Sequence, residues 1–162
     1  MTAVDGAAPH LADTEAEVLR AIASIDDPEY PGVSIVELGL LESFAIDADG
    51  HVHVGLIPTF SGCPALALIA SDVEHAIRTT DGVRDVTVSW LRSPVWTPER
   101  MSESARATLA DSFTVAVQIG TRAPRCPRCG ADTNEVSMFG PSRCRSVHRC
   151  SSCAETVEVV RT

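Results

Sequence analysis

Cys126-Pro-Arg-Cys129 and, after twenty intervening residues, Cys150-Ser-Ser-Cys153 write the pattern C-x2-C-x20-C-x2-C into the last forty residues of the chain. Two residues between thiolates let a tight turn aim both sulfurs at one ion. A second knuckle, brought in by a hairpin, completes a tetrahedron with Zn–S bonds of about 2.3 Å. The spacing therefore predicts a zinc ribbon with Cys126, Cys129, Cys150 and Cys153 as metal ligands. Iron in a rubredoxin-like site is the rival metal, since tetrahedral sulfur sites accept either. Four protein ligands leave no open position, so this ion shapes the chain and the chemistry has to come from elsewhere.

The chain has 162 residues, 44% apolar and only 4% aromatic, so its core must rest on Val, Ile, Leu and Ala. That length suits one ordinary domain, or a smaller domain plus a mini-domain. A net charge of −9 works against nonspecific nucleic-acid binding, which needs cations to neutralise phosphates. All thirteen basic residues are arginines, a bias that fixes no partner. Residues 1–122 hold 18 acids against 7 arginines, whereas residues 123–162 hold 4 acids against 6 arginines. The mildly basic end reads as a solvated ribbon surface. No apolar stretch approaches the ~20 residues that span a bilayer. The N-terminus lacks the basic-then-apolar order of a secretory signal. Paired cysteines in such a chain favour metal over disulfides, and a cytoplasmic protein without membrane or nucleic-acid partners is expected.

Residues 1–12 are small and polar and read as a disordered tail. Thr14-Glu-Ala-Glu17 is a capping box opening a helix whose apolar stripe is Val18, Leu19, Ile22 and Ile25. Asp26-Asp27-Pro28 stops it, and a turn-rich loop runs to Gly32. Ser34-Ile-Val-Glu37 offers a second capping box for a helix of one or two turns, with Gly39 ending it in a left-handed conformation. Leu41–Asp47 and His51–Thr59 form a hairpin around a type I′ turn at Asp49-Gly50. Pro64 suits the first position of a helix over residues 64–80, buried through Leu66, Ile69, Ala70, Val73 and Ile77. Val83–Trp90 alternates as a strand. The order helix, strand, strand, helix, strand predicts an α+β fold: a two-layer α/β domain with a small mixed sheet over residues 13–92. Residues 93–122 read as a helix (99–111) and a linker in which Phe113–Ile119 alternates like a strand or an extended segment, and residues 123–162 as the ribbon.

Cys63 falls at the expected N-cap of the 64–80 helix, where helix-terminal N–H groups favour a thiolate. It reads either as a functional thiol or as a small residue filling a corner. Asp27 and Glu29 read as ligands or as solvated capping acids. His51 and His53 share one strand face and could bind metal or simply face solvent. Cys144, six residues before Cys150, is a spare thiol or a labile extra ligand, and His148 is a substitute ligand.

Asp27-Pro-Glu-Tyr-Pro-Gly-Val-Ser-Ile-Val-Glu-Leu-Gly-Leu40 and Pro58-Thr-Phe-Ser-Gly-Cys-Pro-Ala65 resemble the SufT-like iron–sulfur assembly domain. With Trp96-Thr-Pro-Glu-Arg-Met101 and the four-cysteine tail, the chain resembles the PaaD family, accessory proteins of bacterial phenylacetyl-CoA epoxidase systems. The resemblance runs from about residue 14 to the C-terminus. It implies a non-catalytic accessory or maturation factor of phenylacetate degradation, one that assists iron–sulfur or di-iron assembly on the epoxidase reductase or oxygenase. The alternative is a structural component bridging the epoxidase subunits through the ribbon. Cys63, Asp27 and Glu29 match the family's thiol and acidic loop and become the cluster-transfer candidates. Structural zinc, a transient iron or iron–sulfur cluster, iron–sulfur scaffold proteins as partners and a homodimer belong to the same expectation.

Overall fold

The computed structural model describes residues 11–161. Most of the expected tail, His10 included, lies outside the described residues, but Leu11 and Ala12 are already helical. Helix α1 (Leu11–Ala23) buries Thr14, Val18 and Ile22. Thr14 does not cap this helix as its motif predicts. It lies instead one turn before Val18 on the buried stripe, only 4% exposed, and so continues the packing face.

Strands β1 (Asp26–Asp27) and β2 (Tyr30–Ser34) form a small antiparallel ribbon. Its acidic side chains tie the loop to itself: Asp27 Oδ1 accepts the Glu29 N–H at 2.8 Å, and Asp26 Oδ2 accepts the Gly32 N–H at 2.8 Å. The capping box that follows is reciprocal, with Glu37 N–H to Ser34 Oγ and Ser34 N–H to Glu37 Oε2, each 3.2 Å. It opens a single turn, because Gly39 takes φ +75° and lets the Leu40 N–H reach back to the Ile35 carbonyl at 2.9 Å.

Strands β3 (Leu41–Ile46) and β4 (His51–Leu56) pair antiparallel. Their turn differs from the type I′ expectation. Only Gly50 takes a positive φ, and Asp47 pairs across to His51 around a three-residue loop. Asp47 Oδ1 accepts the N–H of both Asp49 and His51 at 2.9 Å. This is a type I turn closed by a glycine bulge. Helix α2 (Leu66–Arg78) then returns the chain to β5 (Asp85–Trp90), parallel to β4. Val52, Val54 and Leu56 of the central strand bury against Ile69, Val73 and Ile77 of α2 and Val18 and Ile22 of α1. Helices over one face of a three-stranded mixed sheet make the two-layer domain.

The next segment straps the Gly39 turn down. Trp96, 2% exposed, donates its Nε1–H to the Leu38 carbonyl at 2.9 Å. Arg100, in a short 3-10 turn (Pro98–Arg100), donates Nε–H to the Gly39 carbonyl at 2.9 Å and pairs with Glu42 at 2.7 Å. Helix α3 (Glu103–Phe113) starts at Ser102, whose Oγ accepts the Ala105 N–H at 3.0 Å. Immediately after it, β6 (Val115–Val117) joins the C-terminal sheet. That sheet contains β7 (Thr133–Ser137), β8 (Arg145–Cys150) and β9 (Thr156–Val160) in the order β6-β9-β8-β7, with β6 parallel to β9. The ribbon thus takes its edge strand from the Phe113–Ile119 stretch, where the strand reading holds over Val115–Val117. No helix among the described residues is long and apolar enough to cross a membrane.

Gly39 tests the strap. A Cβ there would meet the Arg100 backbone oxygen at 2.6 Å, on a residue already at φ +75°. Gly39→Ala should cost about 2–4 kcal/mol, the sum of left-handed strain and overpacking. Urea unfolding of the metal-loaded protein measures it.

Candidate functional site

Two knuckles of the same design face each other in the ribbon. In the first, the Gly130 N–H reaches the Cys126 carbonyl at 2.8 Å, with Gly130 at φ +72°. In the second, Ala154, also four residues past the leading cysteine, takes φ +57°. The four sulfurs lie within 4.8 Å of one another, with Cys126–Cys153 at 3.7 Å and Cys129–Cys150 at 3.4 Å. Tetrahedral bonds of about 2.3 Å demand sulfur–sulfur edges of about 3.8 Å, so the donor set fits one metal ion. The N–H groups of Cys153 and Ser152 pull the Cys150 thiol down to about 6, which readies it as a thiolate. His148 has no part in this set. It is buried on β8, with Nδ1 3.1 Å from Thr133 Oγ1 and Nε2 3.1 Å from Ser146 Oγ.

Cys63 lies in a turn before α2 and is half-buried. The helix begins at Leu66 with Ala65 at its N-cap, so Cys63 sits two residues ahead of the cap and not at it. The chain closes a separate turn first, Cys63 N–H to the Phe60 carbonyl at 3.1 Å and Leu66 N–H to the Cys63 carbonyl at 3.3 Å. The electrostatics also differ from the expected thiolate. Burial pushes the Cys63 thiol up; the Ala65 N–H opposes this, and the charges of Glu29, Cys144 and Asp27 add to the rise. Asp27 is itself raised, chiefly by burial. The surroundings of Cys63 and Asp27 therefore both disfavour negative charge. A thiol in such surroundings favours its protonated form.

A residue that the sequence did not single out fixes this region. Arg145, at the start of β8 and 7% exposed, bonds Glu29 Oε1 at 3.0 Å and Glu158 Oε2 at 2.6 Å. Its guanidinium carbon stands 5.3 Å from the centroid of Tyr30, a cation–π geometry. Tyr30 in turn meets Phe113 at the end of α3 edge-on, with centroids 5.3 Å apart. The only hint in the sequence is an arginine opening a strand that is otherwise inward-facing. Cys144, its neighbour, is outside the sulfur quartet and on this side of the ribbon.

His51 and His53 stack at 4.2 Å on the open face of the sheet, and with Asp47 their ligand atoms lie within 4.8 Å. Asp47 is committed to the hairpin turn and His51 Nε2 to Thr87 Oγ1 at 2.8 Å.

Residues 15–90 match the family described as iron-sulfur cluster assembly protein, and residues 110–161 match the PaaD zinc beta ribbon domain. A protein of Escherichia coli (strain K12), provisionally named as a subunit of 1,2-phenylacetyl-CoA epoxidase, is 33% identical over 147 residues, covering 86% of this chain and 87% of the relative. An Fe-S protein maturation auxiliary factor of Bacillus subtilis (strain 168) is 35% identical over 92 residues, 57% of this chain and 89% of the relative. Among solved structures, a domain of unknown function, DUF59, from Bacillus anthracis is similar, with a TM-score of 0.56, 31% identity and coverage of 60% of this chain and 92% of that one.

Two outcomes test the site's chemistry. Ala154→Gly should raise the stability of the metal-loaded protein by roughly 0.5–1 kcal/mol, because relief of left-handed strain outweighs the added chain entropy. Thermal melting reports it. Cys63 should alkylate slowly at pH 7, with iodoacetamide labelling half-risen only above pH 9.0, since its thiol is raised above that ordinary value. Glu29→Gln, by removing a nearby negative charge, should shift the labelling profile to lower pH; peptide mass spectrometry of the pulse-labelled protein measures both.

Proposed function

We propose that this chain, which belongs to the PaaD family of proteins related to phenylacetyl-CoA epoxidase, is a non-catalytic maturation factor that assists iron–sulfur or di-iron assembly on the epoxidase reductase or oxygenase. The observation that carries this reading is the company Cys63 keeps. This half-buried thiol is raised, not lowered, first by burial and then by the charges of Glu29, Cys144 and Asp27. That environment suits a cation-accepting ligand and opposes a nucleophile, which needs an accessible thiolate at neutral pH. Likeness to iron–sulfur maturation factors over the first domain supports the choice of iron as cargo.

The division of labour follows from the two metal chemistries. Zinc in the Cys126, Cys129, Cys150 and Cys153 set supplies shape, because four protein thiolates saturate it. Cys63, Asp27 and Glu29 handle iron in transit, because their ligation is incomplete and a client's cysteines can finish it. A [2Fe–2S] centre asks for four ligands, so a site short of ligands holds its cargo loosely enough to release it. Cytoplasmic scaffold proteins would supply the iron centre and the epoxidase components would receive it. A bridging component that never touches iron would have no need of a thiol among carboxylates.

Cys63→Ser tests the proposal. The variant should fold and retain its ribbon metal, while the co-expressed client reductase accumulates with less than half of its wild-type cluster content by iron and sulfide analysis. Normal cluster occupancy beside that variant would end the proposal.

A further inference from the structure

We propose that His51, His53 and Asp47 form a second cation site, on the open face of the first sheet, that takes a borderline divalent metal of the zinc(II) class. The inference goes beyond the maturation reading and uses none of Cys63, Asp27 or Glu29. Its donors are nitrogen and oxygen, where the ribbon quartet offers only sulfur.

Strand register builds the site. Val52 and Val54 of β4 are buried in the core, so His51 and His53 emerge together on the opposite face. The Asp47 N–H bonds the His51 carbonyl at 3.0 Å, and the His51 N–H returns to Asp47 Oδ1 at 2.9 Å. These two bonds clamp the carboxylate beside the first histidine across the β3–β4 turn. The two imidazoles stack, with centroids 4.2 Å apart and planes 28° off parallel. One ligand atom from each of the three residues lies within 4.8 Å of the others. His53 Nε2 stands 4.0 Å from Asp47 Oδ2, too far for a hydrogen bond. Zinc bonds of about 2.0–2.2 Å to nitrogen and oxygen set tetrahedral edges of about 3.4 Å. A small closure of these exposed side chains therefore seats the ion.

The atoms that the fold uses and the atoms that it leaves free are complementary. Asp47 Oδ1 carries the turn by accepting the N–H groups of Asp49 and His51, whereas Oδ2 has no hydrogen-bond donor among the described residues. His51 Nε2 lies 2.8 Å from Thr87 Oγ1. A ring that donates Nε2–H to that hydroxyl keeps its Nδ1 lone pair for a metal. Ligating imidazoles ordinarily have their other N–H held in this way, which fixes the ring. Asp85, 3.9 Å from His51 Nε2, adds negative charge on the side away from Asp47 but stays outside the donor set, since Arg78 pairs with it at 3.8 Å. No arginine pairs with Asp47 among the described residues. An imidazole pair with one carboxylate suits zinc(II) and its neighbours better than the hard cations, which prefer oxygen alone. Binding moves no electrons: two neutral imidazoles and one carboxylate displace water from the ion. Three protein ligands leave a fourth position to water, so this ion exchanges while that of the quartet is retained.

The test uses the full chain with its quartet already loaded with zinc. Isothermal titration with zinc(II) should show one further equivalent of micromolar affinity. His51→Ala and His53→Ala should each weaken it at least tenfold. Asp47→Asn, which keeps an oxygen for the turn, should weaken it at least threefold, and His75→Ala on α2 should leave it unchanged. Quartet zinc should stay at one equivalent in every variant, which separates ligand loss from unfolding. Nitrogen-15 NMR of the imidazoles should place the metal on His51 Nδ1 and His53 Nε2. Absence of a further equivalent overturns the site, as does a His53→Ala variant of unchanged affinity. If Asp47→Asn binds as the wild type does, a surface histidine pair alone holds the ion and the three-ligand site falls. Ligation through His51 Nε2 would break the Thr87 contact and overturns the geometry proposed.

Discussion

One buried guanidinium joins the two halves of this molecule. Arg145 leaves the ribbon, bonds Glu29 in the first domain and Glu158 on its own sheet, and lies over Tyr30. Burying a charge is favourable only when partners satisfy it, and a buried ion pair contributes more to fixing an arrangement than to net stability. Here the arrangement fixed is the approach of β8 to the acidic loop. Tyr30 then carries the contact on to Phe113 and so to α3.

The two sets of sulfur differ in what surrounds them. In the quartet, backbone N–H groups directed at sulfur lower Cys150, whereas Cys153 goes up to about 12, the Glu155 N–H opposing the rise that hydrogen bonds with the Cys150 and Cys129 sulfurs drive. Cys63 has burial and negative neighbours, which favour its protonated form. Identical side chains thus stand in different surroundings, and the difference lies in hydrogen bonding, desolvation and local charge.

What the sequence made legible was local. The C-x2-C spacing, the Ser34–Glu37 box and the Gly39 terminator each depend on residues a few positions apart, and each takes the geometry that its spacing implies. Where two local signals compete, the sequence misleads. Thr14 carries a capping motif and also occupies the buried stripe, and the stripe prevails. Pro64 suits a helix start, yet the chain closes a separate turn before α2 begins. Asp49-Gly50 suits a mirror-image turn, but the Asp47 carboxylate organises a different one. The meeting of Arg145 with Glu29 was illegible, since nothing in either neighbourhood specifies a partner 116 residues away.

Strand β6 has the last word on how the halves move. Val115 and Val117 face the core of the first domain, while Ala116 between them faces the core of the ribbon. Three consecutive residues are therefore a party wall between two hydrophobic interiors, with alternation along the strand assigning each side chain to one room. A wall of that kind cannot pivot without unsealing both sides, so the ribbon is no swinging arm. A partner that docks on either half therefore meets both halves in one fixed relation.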